Sequence, residues 1–276
     1  MQLWTWKTTQ ARAFLTCELI PMAHGFFTRH FYPQTPEDLV AMLENSTAQK
    51  NSAAAATVYR VKQVHSGKVL APTEIERAIL AGLPQLEDGS PAPFPLADGI
   101  VTEQPGQSVW ACSADCTPAL IADIKTGQVA AVHAGWRGTA QKILPAAVLK
   151  MQAQGSALAD LRVALGPAID GAVYQVERAV AAEVGATVLP AEQAFSEDEA
   201  IAHLLSIDNP PLLNDPDQGR VRLDVRRINQ MQLVQMGLDV ECIAIAPHCT
   251  YQEPDTFFSY RRTQEKKVQW AGIISA

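Results

Sequence analysis

Two short apolar segments in the middle of the chain flank a group of turn-forming residues and predict a β-hairpin. They cover residues 119–124 and 128–132, and only Lys125-Thr126-Gly127 separates them. A short connection that contains glycine between two strand-like segments is typical of an antiparallel hairpin. The start of the first strand and the end of the second therefore lie at the same edge of the sheet.

Elsewhere, strand-like and helix-like patterns are interspersed irregularly. Strands are predicted at residues 57–70, 108–113, 161–165, 240–246 and 268–274, and helices at residues 35–45, 139–152, 176–188 and 223–236. Prolines at positions 84, 91, 93 and 95 predict an exposed loop over residues 82–96, and residues 190–219 are predicted to be a long surface excursion. This irregular order favours an α+β fold, with mixed β-sheets and flanking helices, over a regular doubly wound sheet.

Composition narrows the class of protein. The chain has 276 residues, of which 47% are hydrophobic and 18% charged, so we expect one globular domain spanning residues 1–276. A net charge of -7 argues against a broad nucleic-acid surface. No apolar run approaches the roughly 20 residues of a membrane span, so no membrane partner is expected. Five scattered cysteines without a signal peptide indicate reduced thiols and a cytoplasmic location, and no pattern indicates an oligomeric state.

A thiol and an imidazole, which can act in catalysis or bind a metal, are predicted to lie at one edge of the hairpin. Cys116 comes just before the first strand and His133 just after the second, so the fold is expected to bring the two together. His65 supplies a second imidazole, and a thiolate with two imidazoles and an open position is typical of catalytic zinc. Zinc lowers the pKa of bound water to roughly 7. Taken singly, each of the three is more often a structural thiol or a core histidine, and the hairpin argument covers only Cys116 and His133.

Four arginines are candidate anion contacts. Arg137 stands between two glycines, just before the helix predicted to start near residue 139, where backbone N–H groups and the helix dipole favour a phosphate. The alternative is that Arg137 packs on Trp136 or pairs with a carboxylate. The further candidates are Arg29, Arg261 and Arg262.

Two acidic residues next to these motifs are candidate general bases or partners of a ligating histidine. They are Asp98 and Asp115. The structural alternative is turn capping, which is the favoured interpretation of Asp98.

At this point the chain resembles a known family. The segments that carry the resemblance occur in the family's order: Gln63-Val64-His65, Ala97-Asp98-Gly99-Ile100-Val101-Thr102, Ala114-Asp115-Cys116-Thr117-Pro118, His133-Ala134-Gly135-Trp136-Arg137-Gly138, Gly166-Pro167-Ala168-Ile169 and Phe257-Phe258-Ser259-Tyr260-Arg261-Arg262. They resemble the YfiH family over residues 22–274. Its members were once labelled multicopper polyphenol oxidases or laccases, and are now described as purine nucleoside phosphorylases with adenosine deaminase activity, or as peptidoglycan editing factors.

The resemblance implies a fold, a reaction and a set of site residues. The implied fold is the cysteine-hydrolase-like α+β architecture shared with the catalytic domain of cytotoxic necrotizing factor toxins. The implied reaction is phosphorolysis of adenosine, inosine, guanosine and methylthioadenosine, with hydrolytic deamination of adenosine. The implied metal is zinc, with copper less favoured. Candidate catalytic residues are His65, Cys116, His133 and Asp115, of which the first three hold the metal; candidate substrate or phosphate contacts are Arg29, Arg137 and Arg261.

The chain departs from the family pattern in two loops. After Thr28-Arg29 the family usually has Gly-Gly, whereas this chain has His30-Phe31-Tyr32-Pro33. After Arg261-Arg262 it usually has a Gly-Arg pair, whereas this chain has Lys266-Lys267. The resemblance therefore does not extend to substrate contacts from these loops, but it does include the three metal positions.

Three other functions compete with this interpretation. Copper oxidation would use the same two histidines and cysteine, but the six histidines form no His-x-His pair. A metal-free hydrolase would use Cys116 as nucleophile and His133 as base, on amides or peptidoglycan precursors. A binding module would show no turnover. His65 discriminates between the zinc-dependent enzyme and the metal-free hydrolase. Its replacement should abolish metal binding and activity in the first, whereas a Cys–His dyad does not need it.

Overall fold

The protein is described here from a computed structural model, which covers residues 3–45, 55–86, 88–190 and 193–276. Within these residues the strands follow in chain order: β1 (Trp4–Thr9), β2 (Arg12–Cys17), β3 (His24–Phe27), β4 (Thr57–Tyr59), β5 (Val69–Leu70), β6 (Gly99–Val101), β7 (Gln107–Ser113), β8 (Thr117–Asp123), β9 (Val129–Ala134), β10 (Leu161–Leu165), β11 (Gln175–Glu177), β12 (Leu212–Asn214), β13 (Arg220–Leu223), β14 (Ile243–Ile245) and β15 (Gln269–Ile274).

Helices of very different length connect these strands. The α-helices are α1 (Pro36–Glu44), α2 (Pro72–Ala81), α3 (Trp136–Ala140), α4 (Ile143–Ala153), α5 (Arg178–Gly185), α6 (Glu197–Ser206), α7 (Val225–Gln235) and α8 (Tyr260–Thr263). Short 3-10 turns cover Arg29–Phe31, Leu158–Asp160, Ala186–Val188 and Val240–Cys242. None of the helices in the described ranges has both the length and the apolarity needed to cross a bilayer.

Two six-stranded sheets pack face to face and form the centre of the molecule. The first sheet has the order β1-β2-β3-β15-β7-β4, and the second, here called the central sheet, has the order β14-β10-β8-β9-β6-β5. Side chains alternate between faces along β8: Leu120 contributes to the apolar layer between the two sheets, whereas Ile121 points to the opposite face, where α4 packs. The α+β fold predicted from the sequence is confirmed.

Several strand ends meet at one edge of the central sheet. Strands β8 and β9 are antiparallel, with Pro118 opposite His133, and β6 pairs antiparallel with β9 on its other side. The start of β8, the end of β9 and the start of β6 therefore share an edge, and β5, which is parallel to β6, starts there too. β10 runs antiparallel to β8, and β14 parallel to β10, so both end at this edge. The loops that carry the sequence motifs converge here as a result.

A third, smaller sheet lies beside these two, with the order β11-β13-β12. Its apolar side packs with α5, α6 and α7 around a cluster that includes Val184, Leu204, Leu223 and Ile228. We call this the third cluster. Trp136 and Tyr174 pack against its border, so it supports residues that lie near the motif edge.

The hairpin and α7 formed as predicted, whereas several other segments differ from the prediction. The helix expected over residues 139–152 is divided into α3 and α4 at Lys142, whose backbone is left-handed (φ 55°, ψ 47°). Pro145 causes no kink because it lies in the first turn of α4, where its missing N–H has no helical partner. The strand expected over residues 57–70 consists of β4 and β5 only, and the loop between them carries His65.

The surface excursion predicted over residues 190–219 is wrong, because this segment contains α6 and β12. Ser196 caps α6 by accepting a hydrogen bond from the N–H of Glu199. Ile201 and Leu204 on the same helix are buried in the third cluster. The acidic residues in the first turn of α6 made the segment resemble a surface loop, although the helix has one apolar face.

We expect Leu120→Ala to lower the free energy of unfolding by about 2–5 kcal/mol, because the side chain is fully buried between the two sheets and its removal leaves a cavity. Urea denaturation followed by circular dichroism measures the change. Leu149→Ala is the matched control: this side chain is 58% exposed, and its loss should cost less than about 0.5 kcal/mol. Equal losses in the two variants would contradict the layered core described above.

Candidate metal centre

The edge of the central sheet brings a thiol and two imidazoles together. The sulfur of Cys116 and the nearest ring nitrogens of His65 and His133 all lie within 4.8 Å of one another. Cys116 directly precedes β8 and His133 is the next-to-last residue of β9, so the hairpin accounts for this pair. His65 comes from the loop before β5, at the same edge.

His65 is held in an uncommon backbone conformation. Its φ of 60° lies in the left-handed region, which L-residues other than Asn and Asp rarely adopt. Its Nε2 lies 4.0 Å from Sγ of Cys116, and its ring is nearly perpendicular to that of His133, with 4.9 Å between the ring centroids. The side chain is exposed, whereas His133 is buried. His65 therefore forms the solvent-facing side of the cluster.

Asp98 accounts for both histidine positions. Its buried carboxylate accepts hydrogen bonds from the backbone N–H groups of Val64, His65 and Ser66 and from the hydroxyl of Ser66. The same carboxylate lies 2.9 Å from Nδ1 of His133. Burial acts to raise the pKa of Asp98, but the bonds from His133 and Ser66 outweigh it and hold that pKa below its ordinary value. The carboxylate of Asp98 thus binds a distant loop, and not the local turn that the sequence favoured, and it has the contact with a candidate ligating histidine that the sequence offered as the alternative.

In the metal-free protein, Cys116 and His133 form a thiolate–imidazolium pair. Burial acts to raise the pKa of the Cys116 thiol, but the charge and hydrogen bonds of His133 and His65 outweigh it and lower the pKa to about 6. Burial acts to lower the pKa of His133, but the Cys116 thiolate and the Asp98 carboxylate raise it to about 9. The charged pair is therefore the stable form between about pH 6 and pH 9.

The donor set fits a borderline metal ion such as zinc. A thiolate is already favoured at Cys116, and because Nδ1 of His133 faces Asp98, Nε2 is the nitrogen left to bind a metal. A ligating histidine whose other nitrogen donates to a carboxylate is the usual arrangement in zinc sites. Three protein ligands leave one position of a tetrahedral ion open.

Gly135 leaves the room that this cluster needs. A Cβ atom at this position would lie 2.8 Å from Sγ of Cys116 and 3.2 Å from Cδ2 of His65. Since φ of Gly135 is an ordinary −73°, the reason for glycine here is space and not backbone conformation. The glycine of the His-Ala-Gly-Trp-Arg-Gly segment is therefore part of the wall of the cluster.

Asp115 is fully engaged in hydrogen bonds that join three loops. One carboxylate oxygen accepts from the hydroxyl of Thr250, and the other accepts from the hydroxyl of Ser259 and from the backbone N–H of Arg261. Its own backbone is left-handed, with φ of 97°. Asp115 thus ties the residue before Cys116 to the segment that carries Arg261.

Two of the four candidate arginines lie within electrostatic reach of a tyrosine that is also in reach of Cys116. Arg262, by contrast, is used up in hydrogen bonds to three backbone carbonyls. Arg137 places its guanidinium over the ring of Trp136, at 4.3 Å, and Arg261 places its guanidinium over the ring of Tyr174, at 4.8 Å. Neither has a carboxylate partner among the described residues. Arg29 lies over the ring of Phe258 and donates to the carbonyl of Pro254. Packing of Arg137 on Trp136, the alternative raised by the sequence, leaves the edge of its guanidinium free.

Tyr174 is a residue that the sequence did not single out. Burial and, to a smaller extent, the charges of Cys116 and Asp115 raise its pKa to about 12, against the opposing charges of Arg261 and Arg137. The phenol therefore lies within electrostatic reach of the thiol and of both free guanidinium groups. No motif surrounds Tyr174, and the only signal in the sequence is its place shortly after Gly166-Pro167-Ala168-Ile169.

Comparison with known proteins identifies a matching family and several similar proteins. The sequence model of the family described as multi-copper polyphenol oxidoreductase laccase matches residues 34–276. A purine nucleoside phosphorylase of Synechocystis sp. is 48% identical over 274 residues, which cover 99% of this chain and 97% of that protein. The adenosine deaminase RL5, from an unknown prokaryotic organism, is 32% identical, over 73% of this chain and 68% of its own length.

A solved structure supports the fold. The crystal structure of the Bacillus licheniformis hypothetical protein YfiH superposes with a TM-score of 0.71, at 23% identity, and covers 98% of this chain and 99% of that one. The resemblance to the YfiH family drawn from the motifs is confirmed.

We expect Asp98→Asn to weaken zinc binding by about 10- to 100-fold, because it removes the charge that orients His133 and places amide hydrogens against the backbone donors of the His65 loop. Competition with a chromophoric chelator measures the affinity. Asp123→Asn is the matched control, because that buried carboxylate caps the turn of the hairpin away from the cluster. A zinc affinity equal to that of the control would contradict the role assigned to Asp98.

In the metal-free protein we expect the rate of alkylation of Cys116 by iodoacetamide to rise with pH through a midpoint near 6, and not near the ordinary thiol value of 9.0, because the neighbouring imidazolium favours the thiolate. Peptide mass spectrometry after timed reaction gives the rate at each pH. Cys112 is an internal control, since burial raises its pKa to about 12 and it should stay unreactive. A midpoint for Cys116 close to 9 would show that the pair does not form.

Proposed function

The chain belongs to the multi-copper polyphenol oxidoreductase laccase family, and we propose that this member is a zinc-dependent purine nucleoside phosphorylase that also deaminates adenosine. The proposed substrates are adenosine, inosine, guanosine and methylthioadenosine, together with inorganic phosphate. The observation that carries the proposal is the cluster of His65, Cys116 and His133 next to two unpaired guanidinium groups. The relatives named purine nucleoside phosphorylase and adenosine deaminase support it.

Phosphorolysis requires a phosphate held against the sugar. An oxygen of the phosphate bonds to C1′ while the bond from C1′ to the purine nitrogen breaks, and the purine takes up a proton as it leaves. Arg137 and Arg261 are suited to hold the dianion, because each guanidinium lies over an aromatic ring and neither has a carboxylate partner among the described residues. Fixing both reactants in this way supplies much of the rate enhancement.

The remaining candidate residues would position this machinery. Asp115 binds the backbone N–H of Arg261 and so holds that arginine beside the cysteine loop. Arg29 lies over the ring of Phe258, and Phe258 directly precedes the Ser259 that Asp115 binds. We assign Arg29 an outer contact with substrate. A zinc ion bound by the three ligands would supply Lewis-acid polarisation and an activated water for deamination. Asp98, which lies 2.9 Å from Nδ1 of the buried His133, would hold that ring in the orientation of a metal ligand.

A cytoplasmic location forms part of the same proposal. All five cysteines are free thiols. Reduced thiols are typical of proteins that work in a reducing compartment.

A metal-free hydrolase is the second candidate, and one observation favours it. Cys116, His133 and Asp98 form a nucleophile, a base and a carboxylate that orients the base, which is the arrangement of cysteine hydrolases. Such an enzyme would act on amides, including those of peptidoglycan precursors. It would make no use of His65, which is 4.0 Å from the sulfur.

We expect the purified protein to release purine base from adenosine only when phosphate is present, to lose this activity with a zinc chelator, and to regain it when zinc is returned. His65→Ala should lower kcat/KM by at least about 100-fold, because even outer-shell changes in metal sites cost 10- to 100-fold. Chromatography of purine and nucleoside products, with metal analysis, measures these effects. His203→Ala, an exposed histidine on α6, serves as the control.

The same assay separates the candidates. If His65→Ala and the chelator leave activity intact while Cys116→Ala abolishes it, the metal-free dyad is correct and the zinc proposal is wrong. If copper and not zinc restores purine release, the assignment of zinc is wrong.

A further inference from the structure

We propose that Tyr174 is a phosphate-binding residue, whose hydroxyl donates a hydrogen bond to the same anion that Arg137 and Arg261 hold. This inference rests on the proposed function, because it assigns one more ligand to the phosphate of that reaction. The juxtaposition that carries it is a fixed phenol whose ring lies under the guanidinium of Arg261, 4.8 Å from the ring centroid, and beside Trp136, over which Arg137 lies, on the border of the third cluster; neither arginine has a carboxylate partner among the described residues.

The backbone holds Tyr174 in place from both sides. Its N–H donates to the carbonyl of Asp170 at 3.0 Å, and its carbonyl accepts from the N–H of Leu223 at 3.0 Å. Its ring packs against the border of the third cluster, so the half-buried side chain has little freedom to move. The hydroxyl is therefore presented in one direction, and a ligand gains a preorganised donor.

Arg261 is fixed on the face of this ring. Its guanidinium lies 4.8 Å from the ring centroid of Tyr174, and its Nη1 donates to the carbonyl of Gln175 at 2.9 Å. Its backbone N–H donates to Asp115 at 2.7 Å. One face of the ring is thus occupied by the cation, which makes the hydroxyl, and not the ring face, the part of Tyr174 that remains for a ligand.

The hydroxyl itself has no hydrogen-bond partner within the part of the chain that the structure describes. A phenol is protonated at neutral pH and can donate one hydrogen bond. A neutral donor next to two guanidinium groups is complementary to an oxyanion that carries several acceptor oxygens, and phosphate is such an anion. Free arginines in a chain of net charge -7 point to the same class of ligand.

The test uses Tyr174→Phe in the zinc-loaded protein, because phenylalanine keeps the ring beneath Arg261 and removes only the hydroxyl. We expect KM for phosphate to rise about tenfold or more, which corresponds to the loss of one hydrogen bond to a charged group. KM for the nucleoside and the rate of phosphate-independent deamination should stay within about twofold of wild type. A purely structural role would change the phosphate and nucleoside constants together.

Tyr59→Phe is the matched control. Tyr59 is also half-buried, and its hydroxyl donates to Glu76 at 2.7 Å, which joins β4 to α2. Its loss should leave both KM values unchanged. Tyr174→His, which keeps a ring and an N–H donor, should recover part of the affinity for phosphate.

A second measurement does not depend on turnover. Inorganic phosphate should raise the melting temperature of the wild-type protein and of Tyr59→Phe, and raise that of Tyr174→Phe less at the same concentration, because stabilisation by a ligand follows its affinity. A Tyr174→Phe protein with wild-type KM for phosphate and wild-type stabilisation by phosphate would overturn the inference. If Tyr174→Phe is normal but Tyr174→Ala raises KM for the nucleoside, the ring contacts the purine instead, and the inference is equally wrong.

The failure of the proposed function would be recognised separately. In that case the wild-type protein itself would release no purine with phosphate, before any variant is compared. Wild-type phosphorolysis together with an unaffected Tyr174→Phe would leave the proposed function standing and remove only the role of Tyr174.

Discussion

The site depends on one buried carboxylate that serves two neighbouring segments at once. Asp98 accepts hydrogen bonds from three consecutive backbone N–H groups, at Val64, His65 and Ser66, and from the ring of His133. Burying a charged group is costly unless it is fully hydrogen-bonded, and here the donors come from the loop and the ring that must meet. The interaction that satisfies the charge is therefore the same one that fixes two of the three candidate ligands.

This arrangement also explains why a histidine can stand in a left-handed conformation. The backbone at His65 carries a cost of order 1–3 kcal/mol, which persists only where surrounding contacts determine the conformation. The bonds to Asp98 are such contacts, and they orient the loop so that Nε2 faces the sulfur of Cys116. Asp115 repeats the pattern on the other side, with a left-handed backbone and a carboxylate that holds Ser259 and Arg261. Two strained residues, each supported by an acidic side chain, surround the cluster.

How much of this site the sequence could predict depends on how far apart along the chain the interacting residues lie. The meeting of Cys116 and His133 was predictable because a short turn dictates antiparallel pairing, and that pairing was observed with Pro118 opposite His133. The position of His65 came from the family resemblance, because the pairing of β5 with β6 joins segments that no short turn connects. Asp98 was interpreted as the cap of a local turn, whereas its carboxylate binds the distant loop of His65 and the ring of His133. The contact with His133 depends on β6 lying next to β9.

Two helices were not predicted from the sequence for similar reasons. Helix α6 was missed because its first turn is acidic, and its apolar residues gain meaning only against the third cluster. Helix α2, which begins at Pro72, was not predicted, although proline is favoured in the first turn of a helix. Tyr174 lies outside every motif and is recognised only by what surrounds it in space. Local patterns identify the elements, whereas non-local pairing decides which side chains meet.

The cluster allows two kinds of chemistry, and the third ligand decides between them. A Cys–His pair oriented by Asp98 is sufficient for a covalent hydrolase, and the thiolate–imidazolium pair of the metal-free protein is of that type. In such an enzyme, however, a second imidazole near the sulfur would have no purpose, and a strained loop would not be required to hold it there. Here the loop of His65 is strained, is held by a buried charge, and aims Nε2 at the sulfur. Gly135 leaves space at the point where Cys116 and His65 come together. A metal ion bound by all three side chains gives each of these features a function, which is why the geometry favours metal-dependent chemistry over the dyad.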